Sequence, residues 1–282
     1  MPARTDRTTD PALLAALLLA RRGQAYFSRT LNELGNDELD APSLVPGWTR
    51  RHVVAHVGLN ARALTRLTEW AATGVETPMY ASREERDAEI AYGATLPARA
   101  LRSLSAHAAV HLDVEWRDLP PEAWAFPVRT ALGRTVPVSE TVWMRTREVW
   151  VHAVDLDNGA SFRQLPPELV DALLADVARM WGARPGGGPV PVLEPVDRPG
   201  AGVPADGSAG RAVTGSDGSS TASGGSLATA MRAAPTAAAV PDGAVRVRGR
   251  AADLARWATG RGGAALLTTA DGSPVPSPPR WL

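Results

Sequence analysis

Five histidines fall in three stretches of this 282-residue chain: His52 and His56, His107 and His111, and His152. Near the last of them, Glu148-Val-Trp-Val-His152 sets a carboxylate and an imidazole four residues apart. On a helix that interval puts both on one face, where they can grip the same cation. Two ligands from one helix and a third from a facing helix leave coordination positions open on a divalent ion, as in a catalytic rather than a structural zinc site. His56 is well placed to be that third ligand. A Glu-x-x-x-His pair is weak by itself, since such pairs also serve as exposed salt bridges or caps. Here Trp143, Val149, Trp150 and Val151 surround it with apolar bulk, and polar groups on so apolar a helix need partners. His52, at the third position after a helix cap, reads as a solvent-facing residue near the helix start. His107 and His111 have metal-like spacing too, while Ser105-Ala-His-Ala-Ala-Val-His111 also fits a helix packing face.

The elements that must carry these side chains are mostly helical. Asp10-Pro11 is an N-cap followed by proline at the first helical position, and Leu13, Leu14, Leu17, Leu18 and Ala25 continue at helical spacing toward Leu34 and the stop at Gly35. After the Ser43-Leu-Val-Pro-Gly47 turn, Thr49 caps a second helix bearing Val53, Val54, Val57, Leu64, Leu67 and Trp70, ending before Gly74. Ser82-Arg-Glu-Glu85 has the form of a capping box for a third helix reaching Tyr92 before Gly93, and Pro97 opens a fourth to about Arg117. The stretch Trp124 to Val138 alternates around Leu132-Gly133 as a short hairpin, and Ser139 caps a helix ending near Asp157. Another helix spans Pro166 to about Trp181.

From Gly182 to Gly243 small and polar residues dominate, too few large apolar groups to offset the entropy of ordering, and a flexible linker is expected. Beyond it Ala244-Val-Arg-Val-Arg248 alternates as a strand, Ala251 to Thr259 reads as a helix ending at Gly260, and Ala264 to Thr269 as a last strand. The reading is therefore mainly α. A helical bundle that binds the metal occupies 1–165, a helix and a Gly/Ala/Ser/Pro-rich flexible linker follow over 166–243, and the remainder of a small C-terminal α/β domain covers 244–282.

Composition excludes several classes. Thirty basic and thirty acidic residues cancel, which leaves no positive field for a phosphate backbone, so nucleic acid is not an expected partner. The longest apolar run, Ala12 to Ala20, is short of the roughly 20 residues of a membrane helix, and it continues as an amphipathic helix without a signal-peptide cleavage pattern. A cytoplasmic protein without membrane association is expected. There is no cysteine, so a protein-borne thiol cannot serve as nucleophile or ligand; if sulfur does chemistry here, it arrives on a cofactor.

Several segments resemble one family in the right order. Leu44-Val-Pro-Gly-Trp-Thr49, His52-Val-Val-Ala-His56 and Asn60-Ala-Arg-Ala-Leu64 are similar to the first metal-binding helix of mycothiol-dependent maleylpyruvate isomerases; Tyr80-Ala-Ser-Arg-Glu-Glu-Arg-Asp87 resembles the family's next segment. Arg145-Thr-Arg-Glu-Val-Trp-Val-His-Ala-Val-Asp155 is similar to its second ligand helix. The resemblance covers roughly residues 10 to 180 and about 244 to 282. It implies a DinB-like four-helix bundle with a small C-terminal α/β domain, zinc or another divalent metal on His56, Glu148 and His152, and mycothiol as cofactor. It further implies that Arg86 and Arg261 bind the carboxylates of a small dicarboxylate substrate. Each arginine also has a plainer reading, Arg86 as a partner for Glu89 on an exposed helix face and Arg261 as a neutraliser of the carbonyl end of its helix.

The implied reaction, a step of aromatic catabolism, turns maleylpyruvate into fumarylpyruvate. Coordination to a dication lowers the pKa of a thiol from about 8.5, so that thiolate is available at neutral pH. Its addition to the conjugated double bond would leave a bond free to rotate. Two alternatives stand beside this: a mycothiol-dependent S-transferase acting on another electrophile, and a metal-binding bundle with a regulatory, non-catalytic role. A monomer is expected in each case.

Overall fold

The computed structural model describes residues 5–183, 190–198 and 244–281, which form two compact units, one up to Leu165 and one from Pro166 onward. Most of the region expected to be a flexible linker lies outside the described residues.

In the first unit α1 (Pro11–Asn32) opens as the sequence dictates: the Asp10 carboxylate accepts from the backbone N–H of Ala12 at 2.8 Å and of Leu13 at 3.4 Å, with proline at the first position where no donor is needed. The helix α2 (Arg50–Thr73) is capped by Thr49 and ends on Gly74, whose φ of +74° suits a residue without Cβ. Its buried residues, from Val53 to Ala71, run around most of its circumference, because α3 (Arg83–Ala94), α4 (Ala98–Asp118) and α5 (Glu140–Asp155) all pack on it. α1 in turn lies along α5. Leu17, Phe27, Leu64, Leu67, Leu101 and Leu112 fill the space between these helices and are almost wholly withdrawn from water, each stabilising the fold by about 1.5–3 kcal/mol relative to exposure.

Two local expectations are corrected. Gly93 does not stop α3; the helix passes through it, and a Cβ there would lie 3.0 Å from that of Ala55, so this glycine lets α3 press against α2. Ser139 precedes α5 in a helical backbone conformation and makes no capping bond with its side chain. The short hairpin is present as expected, with β1 (Pro127–Arg129) antiparallel to β2 (Thr135–Pro137), three residues each.

The second unit holds α6 (Pro167–Gly182), β3 (Val192–Pro195), β4 (Arg246–Gly249), α7 (Ala251–Ala258) and β5 (Thr268–Thr269). Residues 192–195, expected as linker, form a strand instead: β3 pairs in parallel with β4, Leu193 opposite Val247. Only one residue of β4, Val247, is fully buried, and a four-residue strand whose apolar content is Val-Leu carries little sequence signal. The last strand is shorter than expected, since Ala264–Leu266 form a 3-10 turn and only Thr268–Thr269 pair with β4. Trp181 of α6 and Trp257 of α7 meet edge to face at 6.0 Å and anchor this unit's core.

Candidate metal centre

The start of α2 fixes the first ligand-type residue. Thr49 and His52 form a reciprocal cap, with the Thr49 N–H donating to His52 Nδ1 at 3.3 Å and the two side chains 2.8 Å apart. His52 is half-buried and stacks on Trp48, so it is a capping residue rather than the solvent-facing one expected. One turn on, His56 points the other way, into the bundle, with 5% of its surface exposed and Trp48 against its edge at 5.5 Å.

α5 supplies the other two. The i, i+4 spacing of Glu148 and His152 puts both toward α2, and Glu148 Oε2 lies 2.9 Å from His56 Nε2 and 3.1 Å from His152 Nε2. One ligand atom from each residue lies within 4.8 Å of the others. Ligands of a tetrahedral ion at about 2.1 Å stand about 3.4 Å from one another, so small side-chain shifts fit this set to a cation. The donor chemistry fits as well: two imidazoles and one carboxylate suit zinc and several other divalent ions, with coordination positions to spare.

The charges around the cluster are graded. Burial drives the His56 imidazole below its usual range, more strongly than the Glu148 bond raises it, so that ring is neutral with a lone pair to give. Burial also opposes ionisation of Glu148, but hydrogen bonds and charge from His152 and His56 outweigh it and hold the carboxyl well below its usual range. Burial disfavours the charged form of His152; its bonds to Asp155 and Glu148 reverse this and bring the imidazole up to about 8. Asp155 is fully buried, its Oδ2 2.8 Å from His152 Nδ1. That contact turns Nε2 toward Glu148 and is the outer-sphere partner that metal-bound histidines characteristically have.

Arg86 of α3 stands beside the cluster, Nη2 at 3.5 Å from His56 Nδ1 and Nη1 at 2.6 Å from Asp87 Oδ1. That contact to His56, not an exposed pairing with Glu89, is where its guanidinium lies. Arg145, one turn before Glu148, is 2% exposed and donates from Nη1 to the Val57 carbonyl (2.7 Å) and Asn60 Oδ1 (3.1 Å), and from Nη2 to Gln24 Oε1 (2.7 Å). Burial lowers it to about 10, against the pull of the Glu148 and Tyr80 charges.

The remaining candidates stand on other elements. Arg261 belongs to the second unit, at the end of α7, where its Nη1 donates to the Thr259 carbonyl at 2.6 Å, a position that also answers its plainer reading. His107 and His111 do not line a packing face: both are exposed, His107 2.9 Å from Ser103 Oγ, His111 3.5 Å from Glu115 and 3.9 Å from Glu69. The residues sequence reasoning gave no role are Asp155 and Arg145. Asp155 had a legible signal, the i, i+3 interval after His152; Arg145, whose partners come from α1 and α2, had none.

A crystal structure of a mycothiol-dependent maleylpyruvate isomerase superposes with a TM-score of 0.75 at 41% identity, over 95% of this chain and 97% of that one. The chain belongs to the mycothiol-dependent maleylpyruvate isomerase family. A histidine-to-alanine mutant of such an isomerase matches with the same score, identity and coverage. The family model described as the mycothiol maleylpyruvate isomerase N-terminal domain matches residues 20–157, the stretch that holds His56, Arg86, Glu148 and His152. Among curated proteins no match was found. The first unit thus has the family's DinB-like bundle, and the cluster at α2 and α5 lies within the part that the family model describes.

Proposed function

We propose that this chain converts maleylpyruvate to fumarylpyruvate with mycothiol as cofactor, binding one divalent cation, zinc foremost, through His56, Glu148 and His152. The observation that carries the reading is the convergence of His56 Nε2, Glu148 Oε2 and His152 Nε2 on one buried point in a chain without cysteine. Bound there, the cation and mycothiol would together supply a thiolate at neutral pH, the nucleophile that the protein itself lacks.

The protein's own residues prepare that site. Asp155 holds the His152 ring so that Nε2 would face the ion, and the neutral state of His56, whose Nε2 donates to Glu148, means that only a change of tautomer is needed to offer the Nε2 lone pair to a cation. Trp48 and the walls of α2 and α5 keep water away from the ligand atoms, which strengthens each charge interaction there. Once His56 gives Nε2 to a cation, its proton sits on Nδ1, a donor facing the Arg86 donor; the 3.5 Å contact is then repulsive and Arg86 is free to take a substrate carboxylate. Arg261 takes the second carboxylate in this reading. Arg21 of α1, which pairs with Asp6 ahead of that helix and with Asp113 of α4, has no part in it.

The test is one assay. Zinc-loaded protein is mixed with mycothiol and maleylpyruvate, and product geometry and thiol are followed together. Trans product with thiol undiminished supports the isomerase; stoichiometric loss of thiol supports a transferase; bound metal without thiol-dependent turnover overturns both enzyme readings. Replacing Arg86 or Arg261 by Ala should lower turnover with zinc retained, and full activity would remove that arginine from the mechanism.

A further inference from the structure

Two arginines tie α5 to α2, one on each side of the three ligand-type residues. Arg145, one turn before Glu148, donates from Nη1 to the Val57 carbonyl at 2.7 Å and to Asn60 Oδ1 at 3.1 Å, so it grips α2 at the residue after His56 and one turn beyond it. Its Nη2 reaches Gln24 Oε1 of α1 at 2.7 Å. Arg50, the first residue of α2, reaches the other way: Nε donates to the Leu156 carbonyl at 2.7 Å and Nη2 to that of Asp157 at 2.8 Å, just past the end of α5. Since residue 145 meets 57 and 60 while 156 and 157 meet 50, α2 and α5 run in opposite directions, and His56, Glu148 and His152 lie between the two ties.

Helix packing alone does not call for these residues. Arg145 is 2% exposed, and its acceptors are one carbonyl and two side-chain amides. A guanidinium withdrawn from water onto uncharged partners is a costly way to fill space that Leu or Met would fill. At the other end Asp157 has a φ of +49°, the only left-handed non-glycine among the described residues, a conformation that a side chain with a Cβ rarely adopts. What both ties provide is a planar, forked donor of fixed geometry seated on backbone carbonyls, which sets the position of one helix along the other. A metal centre needs that, because its ligands must be held within about 0.5 Å of the working geometry.

Resting on the reading of His56, Glu148 and His152 as cation ligands, we propose that Arg145 and Arg50 are positioning residues for the metal centre. They lock α2 to α5 on both sides of the ligands, so that His56 stands at coordination distance from Glu148 and His152 before a cation arrives.

Arg102 supplies the control. It ties two elements in the same way, donating from α4 to the Leu31 and Leu34 carbonyls at the end of α1 at 2.8 and 2.7 Å, and neither α4 nor α1 carries a ligand. Chelator-treated full-length wild type, Arg145→Met, Arg50→Ala and Arg102→Ala are each titrated with zinc against a chromophoric chelator. They are titrated in parallel with cobalt(II), whose visible absorption is strong in a four-coordinate site and weak in a six-coordinate one, and urea unfolding gives the stability of each protein. Zinc affinity should fall roughly 10- to 100-fold in Arg145→Met and about tenfold in Arg50→Ala, with the cobalt absorption weakened in both. Arg102→Ala should unfold at lower urea yet bind zinc within about twofold of wild type, with an unchanged cobalt spectrum. Arg50→Ala decides alone if Arg145→Met does not fold. Wild-type affinity and spectrum in the Arg50 and Arg145 variants overturn the proposal, as does an equal loss in Arg102→Ala, which would make the ties a matter of general stability. Wild type that takes up no metal overturns the reading of the three ligands itself, and the frame with it.

Discussion

An i, i+4 pair of histidine and glutamate meets a third ligand-type residue from α2 at two places in this bundle. At one, Glu148 and His152 of α5 meet His56; at the other, His111 and Glu115 of α4 meet Glu69. The ingredients and their spacing are alike, and the outcomes differ. His56, Glu148 and His152 have side chains 7%, 13% and 12% exposed and touch at 2.9 and 3.1 Å. The His111 side chain is 54% exposed, and its carboxylate neighbours stand at 3.5 and 3.9 Å. Spacing decides which residues can meet; burial decides how strongly their charges are felt, because water screens the exposed group and is excluded from the buried one. The buried group has an outer partner in Asp155 as well, whereas the exposed one is backed by solvent.

The contrast is broken most directly by deleting a ligand. His152→Ala should abolish stoichiometric zinc binding at the concentrations where wild type holds one ion, a loss of 100-fold or more in affinity (about 2.7 kcal/mol or more). Metal analysis after dialysis against a weak chelator reads it, and retention of a full equivalent would show that the three side chains are an ion-pair network and nothing more.

Asp155→Asn addresses the outer partner. An amide keeps the shape but removes the charge that fixes the His152 ring, and zinc affinity should fall roughly 10- to 100-fold with the stoichiometry unchanged. Unaltered affinity would mean that burial alone distinguishes the two triads. Competition with a chromophoric chelator is the measurement.

The metal-free protein should show the difference in its pH profile. His152 is near 8 in the folded chain against about 6.5 unfolded, so its contribution is fully present below pH 6.5 and is lost as the pH rises through 8. The difference corresponds to about 2 kcal/mol. Urea unfolding of chelator-treated protein at pH 6 and pH 8.5 should therefore show lower stability at the higher pH. Because the lowered His56 ring works in the opposite sense, the same pair of measurements is made on His152→Ala, and an equal pH dependence of the two proteins would show that His152 is not held as a cation by Glu148 and Asp155.

Much of this was legible in the residues. The caps at Asp10, Thr49 and Ser82 and the stop at Gly74 carry their instruction locally, and the helices they bound were readable within a few residues of their ends. The Glu148 and His152 pairing follows from helical period alone. What sequence could not show was which side of a helix another helix covers: that made Gly93 look like a terminator when it is a contact with Ala55, and made His111 look like a packing residue when it faces water. The strand at 192–195 was missed because its partner lies some fifty residues on, at 246–249, and pairing over that distance leaves no local pattern. Arg145 escaped for the same reason, its partners Val57, Asn60 and Gln24 being supplied by two other helices.

The smallest expected effect is the most discriminating for the comparison. His111→Ala removes the centre of the exposed triad, and if spacing were sufficient for a metal site it should cost one equivalent of bound zinc, as His152→Ala does. The exposed pairs it breaks are worth little, since water screens them and two mobile side chains must be ordered to form them. Zinc stoichiometry should therefore stay at the wild-type value and stability should change by less than about 0.5 kcal/mol, the ordinary range for a surface substitution. Metal analysis and urea unfolding of the two single variants side by side give the answer: one variant empty and the other unchanged would attribute the difference to burial, while the loss of an ion from His111→Ala would show that the exposed triad holds metal in its own right.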